Sequence, residues 1–409
     1  MDYDVIVVGA GPAGVTVADT VATAGHRVLV VEEHPEVGRP SHCTGKISVR
    51  AVQELGLHPA GLQRTVRGAI FYSPSLTSFQ IARTKAQAYI LDRTRFDEWL
   101  AAKAVDAGTH IETGTCVVGI AVTPSHACVR VMHNGTSHHL RCRVVVGADG
   151  AGSAIARWTG LDAKPRDAVR LAVQSEVKGV TPQDVDFVEI YTGRNVAPGF
   201  FAWIVPAAKD TVRVGLAVHT TQGNQLSTFY RGFKRVHTVA GGKLYGGNWG
   251  TPTIHLLPTG GPLRRTVSDR VLLVGDAAGQ VKSTTGGGLY YGMLCAKIAG
   301  ETINEALSPA SAKLGRVSLT RYDRRWRARL GDEIAFSVKT RRFLDSLTDV
   351  ELDHFFGVIR DDRSLREALN VDGDIDWQSK AVRSAFRPLT RLLITKPKLL
   401  AKMVKYLMG

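Results

Sequence analysis

The residues Gly9-Ala-Gly11-Pro-Ala-Gly14 directly follow the apolar run Val5-Ile6-Val7-Val8, the spacing of a pyrophosphate-binding turn. A buried strand entering such a turn leaves the backbone bare, lets phosphate oxygens approach it, and aims the N-terminus of the next helix at their charge. A second apolar run, Arg27-Val-Leu-Val-Val31, ends in Glu32, about twenty residues on, where a carboxylate accepts ribose hydroxyls. Two more apolar runs end in turns of the same kind. Val144-Val-Val146 enters Gly147-Ala-Asp149-Gly150, and Val271-Leu-Leu-Val274 enters Gly275-Asp276-Ala-Ala-Gly279. Gly286, Gly287 and Gly288 then precede a helical pattern, so their bare N–H groups are placed to meet an anion.

The elements that position these residues follow from periodicity. Residues 1–35 read as strand, glycine turn, helix and strand, and 36–48 as a loop carrying Gly and Pro. Helices are expected over 49–55 and 94–106, the latter with Phe96, Trp99 and Leu100 on one face, and strands over 115–122 and 128–132. From about 171 to 257, alternating segments such as Val212-Arg-Val-Gly-Leu-Ala-Val218 predict a separate, mostly antiparallel sheet. A long helix follows to about 306, and the last hundred residues read as helical and basic.

With 409 residues and 44% apolar composition, the chain is ordinary globular material long enough for two or three domains. No run reaches the roughly 18 apolar residues of a membrane span, and Met1-Asp-Tyr-Asp4 leads straight into the first strand, so a cytoplasmic protein is expected. The five cysteines, Cys43, Cys116, Cys128, Cys142 and Cys295, include no C-x-x-C pair, which argues against a disulfide framework or a metal site. The net charge of +15 is unevenly spread: Lys380 to Gly409 holds eight Lys/Arg and no acid. No nucleic-acid motif accompanies it, so nucleic acid ranks low as a partner. Leu399, Leu400, Met403, Val404 and Leu407 recur at helical spacing beside Lys398, Lys402 and Lys405. That pattern fits either a peripheral helix on an anionic membrane or a helix packed on its own domain.

The order of the three turns resembles the para-hydroxybenzoate hydroxylase-like flavoproteins. A narrower resemblance is carried by Gly275-Asp-Ala-Ala-Gly-Gln-Val-Lys-Ser-Thr-Thr-Gly-Gly-Gly-Leu-Tyr-Tyr-Gly292, Tyr89-Ile-Leu-Asp-Arg93 with Phe96-Asp97, and Arg39-Pro-Ser-His-Cys43-Thr-Gly45. These segments look like the geranylgeranyl reductase family, especially its archaeal members, which saturate isolated double bonds of polyprenyl chains with reduced FAD. The resemblance implies an α/β fold with a Rossmann-like FAD-binding domain (1–160 and 258–308, with parts of 60–100 in the substrate domain), an antiparallel substrate domain (161–257) and a helical basic C-terminal region (309–409). It implies that Gly9, Gly11, Ala13 and Gly14 hold the pyrophosphate, Glu32 the adenosine ribose and Asp276 the ribityl chain, with Asp149 and Gly150 near the phosphates. Cys43, Thr44, Gly45, Arg93, Val117, Gly286, Gly287, Gly288 and Leu289 complete the FAD site. The family's PxxYxWxFP pattern is matched by Pro198-Gly-Phe-Phe201-Ala-Trp203-Ile-Val205-Pro206, with Phe201 for the usual tyrosine and Val205 for the usual phenylalanine.

Reducing an isolated trisubstituted alkene by hydride needs a proton at the other carbon, because no carbonyl draws off the electrons. Cys43, in the loop that resembles the family's flavin-side segment, is the candidate acid, since a thiol of pKa ~8.5 stays protonated at neutral pH; His42 beside it is titratable. Phe200, Phe201, Trp203 and Pro206 are expected to line a prenyl site, with aromatic faces toward developing positive charge. The chain lacks a second full glycine turn for NAD(P)H. The reductant therefore docks transiently, and the basic surface suits NAD(P)H phosphates or an acidic reduced ferredoxin. Prenyl lipids or prenyl diphosphates are the expected substrates. The competing readings are a flavin-dependent halogenase, an aromatic monooxygenase of the same fold, and a non-catalytic membrane-binding flavoprotein. The halogenase W-x-W-x-I-P motif is matched only in part by Phe201-Ala-Trp203-Ile-Val-Pro206, and Lys85 lacks flanking glycines.

Overall fold

A computed structural model describes residues 1–161, 168–180, 184–308, 316–392 and 396–407. Tertiary contacts divide the chain into two units. The first comprises Met1–Ser41, Arg93–Pro165 and Pro258–Ile334; the second comprises His42–Asp92, Arg166–Leu257 and Ala335–Gly409.

The apolar runs make the central sheet of the first unit. Its strands lie in the order Val267–Ser268, Val271–Leu273, Thr136–Gly147, Tyr3–Val8, Val28–Val31, His110–Glu112. All neighbours are parallel except the first pair. Val5, Ile6, Val7 and Val144 to Val146 are completely buried, as consecutive apolar residues must be in a sheet covered on both faces. Register then does the positioning: Val8 pairs with both Gly147 and Val31, and Gly147 with Leu273. The glycine and acidic turns therefore leave the sheet side by side at the carboxyl ends of its strands, where open α/β sheets bind ligands. The strand Thr136–Gly147 outruns its parallel neighbours, and its first half pairs antiparallel with Ala127–His133, which pairs in turn with Thr115–Val122. The helix Pro12–Thr23 meets the helix Leu289–Leu307 closely enough that a Cβ at Gly300 would come 2.6 Å from Thr20 Cβ.

The second unit holds the expected, mostly antiparallel sheet, in the order Asn248–Trp249, Arg170–Lys178, Thr211–His219, Ala202–Pro206, Phe187–Tyr191, Gly68–Tyr72, Ser78–Ala82, with Thr253–Leu257 also on Arg170–Lys178. Only Phe187–Tyr191 and Gly68–Tyr72 run parallel. A smaller sheet joins Lys46–Ser48, Ala88–Leu91 and Leu62–Val66. Alternation splits the strand Ala202–Pro206 between two cores. Ala202 and Ile204 pack with Tyr230 and Phe233 of the helix Leu226–Thr238, while Trp203 and Val205 pack with Phe200, Val66 and Ile90.

The C-terminal helices group differently from the expected separate region. Ala335–Gly409 fall in the second unit, and the boundary expected at 309 lies outside the described residues. Phe71, Phe79 and Ile81, on the two last-named strands of the large sheet, present an apolar face. The helices Asp349–Asp361, Arg363–Asp372, Gln378–Leu392 and Pro397–Leu407 cover it. Of the two readings of the last helix, burial favours packing on its own unit: Leu399 is 3% exposed, Met403 is fully buried, and Leu400 and Leu407 pack on the same core, leaving Val404 exposed. Lys402 folds back to donate to Glu351 at 2.7 Å and to the Ser346 carbonyl at 2.9 Å. Among the described residues, no helix is long and apolar enough to cross a membrane. Met403→Ala is expected to cost about 2–5 kcal/mol of stability, as in other large-to-small core changes. Val404→Ser is expected to stay within about 0.5 kcal/mol, as at most surface positions. Denaturant midpoints compare the two, and an equal effect would mean the helix is not packed as described.

Candidate functional site

In the first unit the three turns meet in one cradle, and bare backbone is what lets them meet. Gly9 has φ +103°, and a Cβ there would lie 2.5 Å from the Ala148 carbonyl oxygen; at Gly14 it would lie 2.0 Å from the Gly9 carbonyl oxygen. At Gly275 it would press 3.0 Å from Ala13 Cβ, and at Gly288 it would come 2.7 Å from Asp276 Oδ1. By contrast, a Cβ at Gly11, Gly150 or Gly152 would meet nothing within 4 Å. Gly11 caps the twelve-residue helix Pro12–Thr23. The cradle is thus closed where strands and helices touch and open at Gly11 and Gly150. That is the shape and polarity an extended dinucleotide requires, with a helix N-terminus for its phosphates.

Glu32 stands across this opening. Its Oε2 accepts the Ala10 N–H at 2.8 Å, and its Oε1 accepts the His34 N–H at 3.0 Å and lies 2.6 Å from His34 Nδ1. A cavity of about 680 Å³ lies beyond, lined by His34, Pro35, Glu36, Arg39, Pro40, Ser41 and Thr94. Val117 sits on the strand Thr115–Val122, whose first N–H donates to the Glu32 carbonyl at 2.9 Å. Arg93 opens the helix Arg93–Asp106 and grips Asp97 with both arms, Nε at 3.0 Å and Nη2 at 2.8 Å.

The two acidic turns are used differently. Asp149 is committed to the fold: Oδ1 accepts the Ser153 hydroxyl at 2.6 Å, and Oδ2 accepts the N–H groups of Ala154 at 2.7 Å and Ile155 at 3.1 Å, capping the short helix Ala154–Trp158. Gly150 beside it, at φ +75°, shapes the open side. Asp276 is half-buried against Gly288, which caps the helix beginning at Leu289. Gln280, which sequence reasoning passed over, fixes this turn. Its Oε1 accepts the Gly275 N–H at 2.8 Å, and its Nε2 donates to the Tyr322 hydroxyl at 2.7 Å, which donates to the Leu273 carbonyl at 2.8 Å. Gly286 has φ +71°, and both Gly286 and Gly287 fold back on Lys282, whose carbonyl accepts the Gly286 N–H at 2.8 Å.

His42, Cys43, Thr44 and Gly45 belong to the second unit, where a buried arginine holds their turn. Arg213 donates from Nη1 to the carbonyls of Thr44 at 2.7 Å and Leu91 at 2.8 Å, from Nη2 to Gln63 Oε1 at 2.8 Å, and from Nε to Glu176 Oε1 at 3.1 Å. At Gly45, φ is +73° and a Cβ would come 2.6 Å from that guanidinium. The Gly45 N–H points at Cys43 Sγ, 3.4 Å away. His42 stacks on His255, ring centres 5.9 Å apart at 27°. Sequence reasoning passed over both Arg213, which lies within the alternating run Val212 to Val218, and His255. Burial, and next His42, pull the His255 pKa down to about 4.

Phe200 and Phe201 stack at 4.2 Å, and Phe201 meets Trp203 edge-on at 5.9 Å. Trp203 is buried with Pro206 in the sheet, and its indole N–H donates to Gln174 Oε1 at 3.1 Å. Phe201 is half-buried and leaves the aromatic row reachable.

The profile of the FAD binding domain family matches residues 2–328. The digeranylgeranylglycerophospholipid reductase of Methanocaldococcus jannaschii is 32% identical over 354 residues, covering 86% of this chain and 89% of the relative. Digeranylgeranylglycerophospholipid reductase 2 of Methanothermobacter thermautotrophicus is 35% identical over 367 residues, covering 86% and 90%. Among solved structures, a geranylgeranyl bacteriochlorophyll reductase-like protein from Thermoplasma acidophilum superposes with a TM-score of 0.86 over 99% of both chains at 22% identity. The myxobacterial chondrochloren halogenase superposes with a TM-score of 0.70 over 94% of this chain and 97% of its own at 19% identity. These two likenesses carry the fold alone.

Two outcomes follow from this geometry. Gly14→Ala is expected to lower both thermal stability and flavin content. Gly11→Ala is expected to keep unfolding within about 0.5 kcal/mol of the parent while losing flavin, because its new methyl meets only the ligand side. Flavin absorbance per chain beside a melting curve separates them, and full flavin in Gly11→Ala would remove that residue from the pyrophosphate site. With His255 held near 4 against an ordinary ~6.5, the unfolded chain binds more protons between those values, so stability falls as pH drops through that window. His255→Asn should flatten the pH dependence of the denaturation midpoint there; an unchanged slope would contradict the burial of a neutral ring.

Proposed function

The chain belongs to the FAD-binding flavoprotein family of the digeranylgeranylglycerophospholipid reductases, and from that premise we propose that it saturates the isolated double bonds of geranylgeranyl chains in archaeal-type membrane lipid precursors. The observation that carries this reading is the single cradle formed by Gly9, Gly14, Ala148, Gly275 and Gly288, in a chain that also sets the aromatic row Phe200, Phe201 and Trp203 on its antiparallel sheet. A halogenase shares the fold, but here phenylalanine stands at the first tryptophan of its motif and Lys85 lacks the flanking glycines of the halogenase lysine.

FAD would be held by Gly9, Gly11, Ala13 and Gly14 at the pyrophosphate, by Glu32 at the ribose, and by Asp276 with Gly286 to Leu289 at the flavin half. When bound and reduced, it supplies the hydride equivalent. The protein's own residues must then bring a proton and exclude water. Cys43 Sγ, over the turn fixed by Arg213, would give the proton to the alkene carbon and take it back from water. The faces of Phe201 and Trp203 stabilise cationic character at the tertiary carbon as the proton arrives. With phenylalanine at 201, this wall offers no phenol, so no hydroxyl there shares in the proton transfer.

Electrons arrive from NAD(P)H or a reduced acidic ferredoxin, for which the net charge of +15 gives long-range attraction. Collection of substrate from an anionic membrane is assigned to the helix Leu226–Thr238 rather than to the C-terminal helix. From Thr211 to Ser268 the chain has no acidic residue, and Val236, Val239 and Tyr245 are 67%, 54% and 64% exposed beside exposed Arg231 and Arg235.

The reading is tested by bleaching the flavin anaerobically and adding a digeranylgeranyl glycerophospholipid. Reoxidation without oxygen, with product mass rising by two hydrogens per double bond, is expected; a requirement for oxygen would replace the reductase by a monooxygenase or halogenase. In the same assay Cys43→Ser should keep its flavin and slow alkene reduction. Undiminished rates in both Cys43→Ser and Cys43→Ala would clear the thiol of that role.

A further inference from the structure

We propose that the exposed arginines of the helix Arg316–Trp326, with Arg264 and Arg329 beside them, form the docking surface for an acidic one-electron carrier protein that reduces the flavin. Sequence sets the two faces of this helix. Leu319, Tyr322 and Trp326 recur at helical spacing, Leu330 follows one turn on, and all four are buried. The opposite face carries Arg321, Arg324 and Arg325, and the wide turn of π type that follows, Arg327–Gly331, adds Arg329; all four are exposed. Residues three and four apart are neighbours on a helix, so these are like charges side by side, which weakens a helix. Glu305 answers Arg325 at 2.7 Å and Arg321 at 3.6 Å, and Arg327 holds Asp323 at 2.8 Å. Arg327 Nη2 also donates to the carbonyls of Leu263 at 2.8 Å and Arg264 at 2.9 Å, which brings the exposed Arg264 onto the same ridge. Six arginines thus stand with Glu305, Asp323 and the exposed Asp332, and the sum is positive.

The buried face ties this ridge to the cofactor cradle. The Tyr322 hydroxyl donates to the Leu273 carbonyl and accepts from Gln280, whose side chain holds the Gly275 N–H, and the Trp326 indole donates to Thr266 Oγ1 at 3.1 Å. The outer arginines therefore stand about one helix diameter, roughly 10–12 Å, from the turn assigned to the flavin half. Shape selects among anions. From Arg321 to Arg329 the charges spread over about 12 Å of a convex face, too wide for one phosphate, whereas nucleotides take concave sites. The exposed apolar residue in that run is Ala328, which gives a bilayer no large side chain to take up. The acidic rim of a protein fits both the span and the sign, and opposite charge speeds and orients its encounter. Each carrier gives one electron, so two dock in succession; the two electrons and one proton from water convert FAD to FADH−, and both carriers leave oxidised. The inference rests on the reductase reading for the chain, and names the partner and the face by which its electrons arrive.

The test titrates the full-length flavin-loaded protein with an oxidised acidic ferredoxin by calorimetry, so that binding is read apart from turnover. On the parent, affinity is expected to fall about 10-fold or more as salt rises from about 0.05 to 0.5 M. Arg324→Glu is expected to weaken the ferredoxin about 5- to 50-fold at low salt, and Arg324→Lys, which keeps the charge, to stay within about threefold. Arg363→Glu makes the same change of net charge on an exposed helix of the second unit and is also expected to stay within about threefold. Flavin content and melting temperature show that each variant is folded, and the salt series on the parent keeps the test valid if one is not. Binding that ignores salt, equal loss in Arg324→Glu and Arg363→Glu, or capture by anionic vesicles with none by ferredoxin would overturn the surface. Anaerobic alkene reduction on the parent with dithionite as reductant needs no carrier. Turnover there without ferredoxin binding rejects the surface alone; ferredoxin binding that depends on Arg324, without turnover, rejects the reductase reading alone; the absence of both rejects both.

Discussion

At Gly14 the space for a first side-chain atom ends 2.0 Å away, at a carbonyl oxygen of its own strand turn. Nearly everything in the first unit depends on that closeness. The helix Pro12–Thr23 starts at once behind the strand Tyr3–Val8 only because the crossing point is bare, and the Ala148 and Gly275 turns reach the same spot for the same reason. Register supplies the rest, since strands aligned at Val8, Gly147 and Leu273 end together. A nucleotide site arises here from three strands ending together and a lack of side chains, with few polar groups committed in advance. Glu32 and Asp149 are exceptions: the oxygens of Glu32 already serve the backbone of Ala10 and His34, and those of Asp149 serve Ser153, Ala154 and Ile155.

The second unit works on the opposite principle. Its important turn, Cys43 to Gly45, is shaped by a long buried side chain reaching in from the sheet. Arginine suits this because its donors form a rigid fork, so one residue satisfies two carbonyls, an amide and a carboxylate at once. The same residue type recurs where the strand Arg170–Lys178 meets the helix Asp332–Ser346. In both places, charge is placed inside the unit and matched by geometry.

What was legible in the sequence follows from this contrast. The glycine turns, the Glu32 position and the parallel strands are local patterns, in which a few adjacent residues determine their own conformation. The chain around Arg213 was not legible, because Thr44, Gln63, Leu91 and Glu176 are brought together only by sheet pairing. Asp149 shows a third case. Its place in an acidic turn was evident, while its work as a cap for Ala154 and Ile155 depends on a short helix that apolar periodicity does not reveal. The last helix shows why amphipathicity cannot name a partner: Leu399 and Met403 meet Phe79 and Phe356 of the same chain, and their spacing would look identical facing a lipid.

The interleaving of the two units bears on how the protein is made. The chain passes between them at 41–42, 92–93, 165–166, 257–258 and 334–335, so neither is a continuous stretch that emerges from the ribosome complete. The strand Tyr3–Val8 pairs early with Val28–Val31 but waits for its second neighbour until residues 136–147 have been synthesised, and that neighbour in turn waits for Val271–Leu273. Until then, parallel strands of nearly pure valine, leucine and isoleucine stand with open edges, the state most exposed to misassociation. Recombinant yield should accordingly depend on translation speed and chaperone supply, and tags or cuts placed inside the chain would separate strands that fold only as partners.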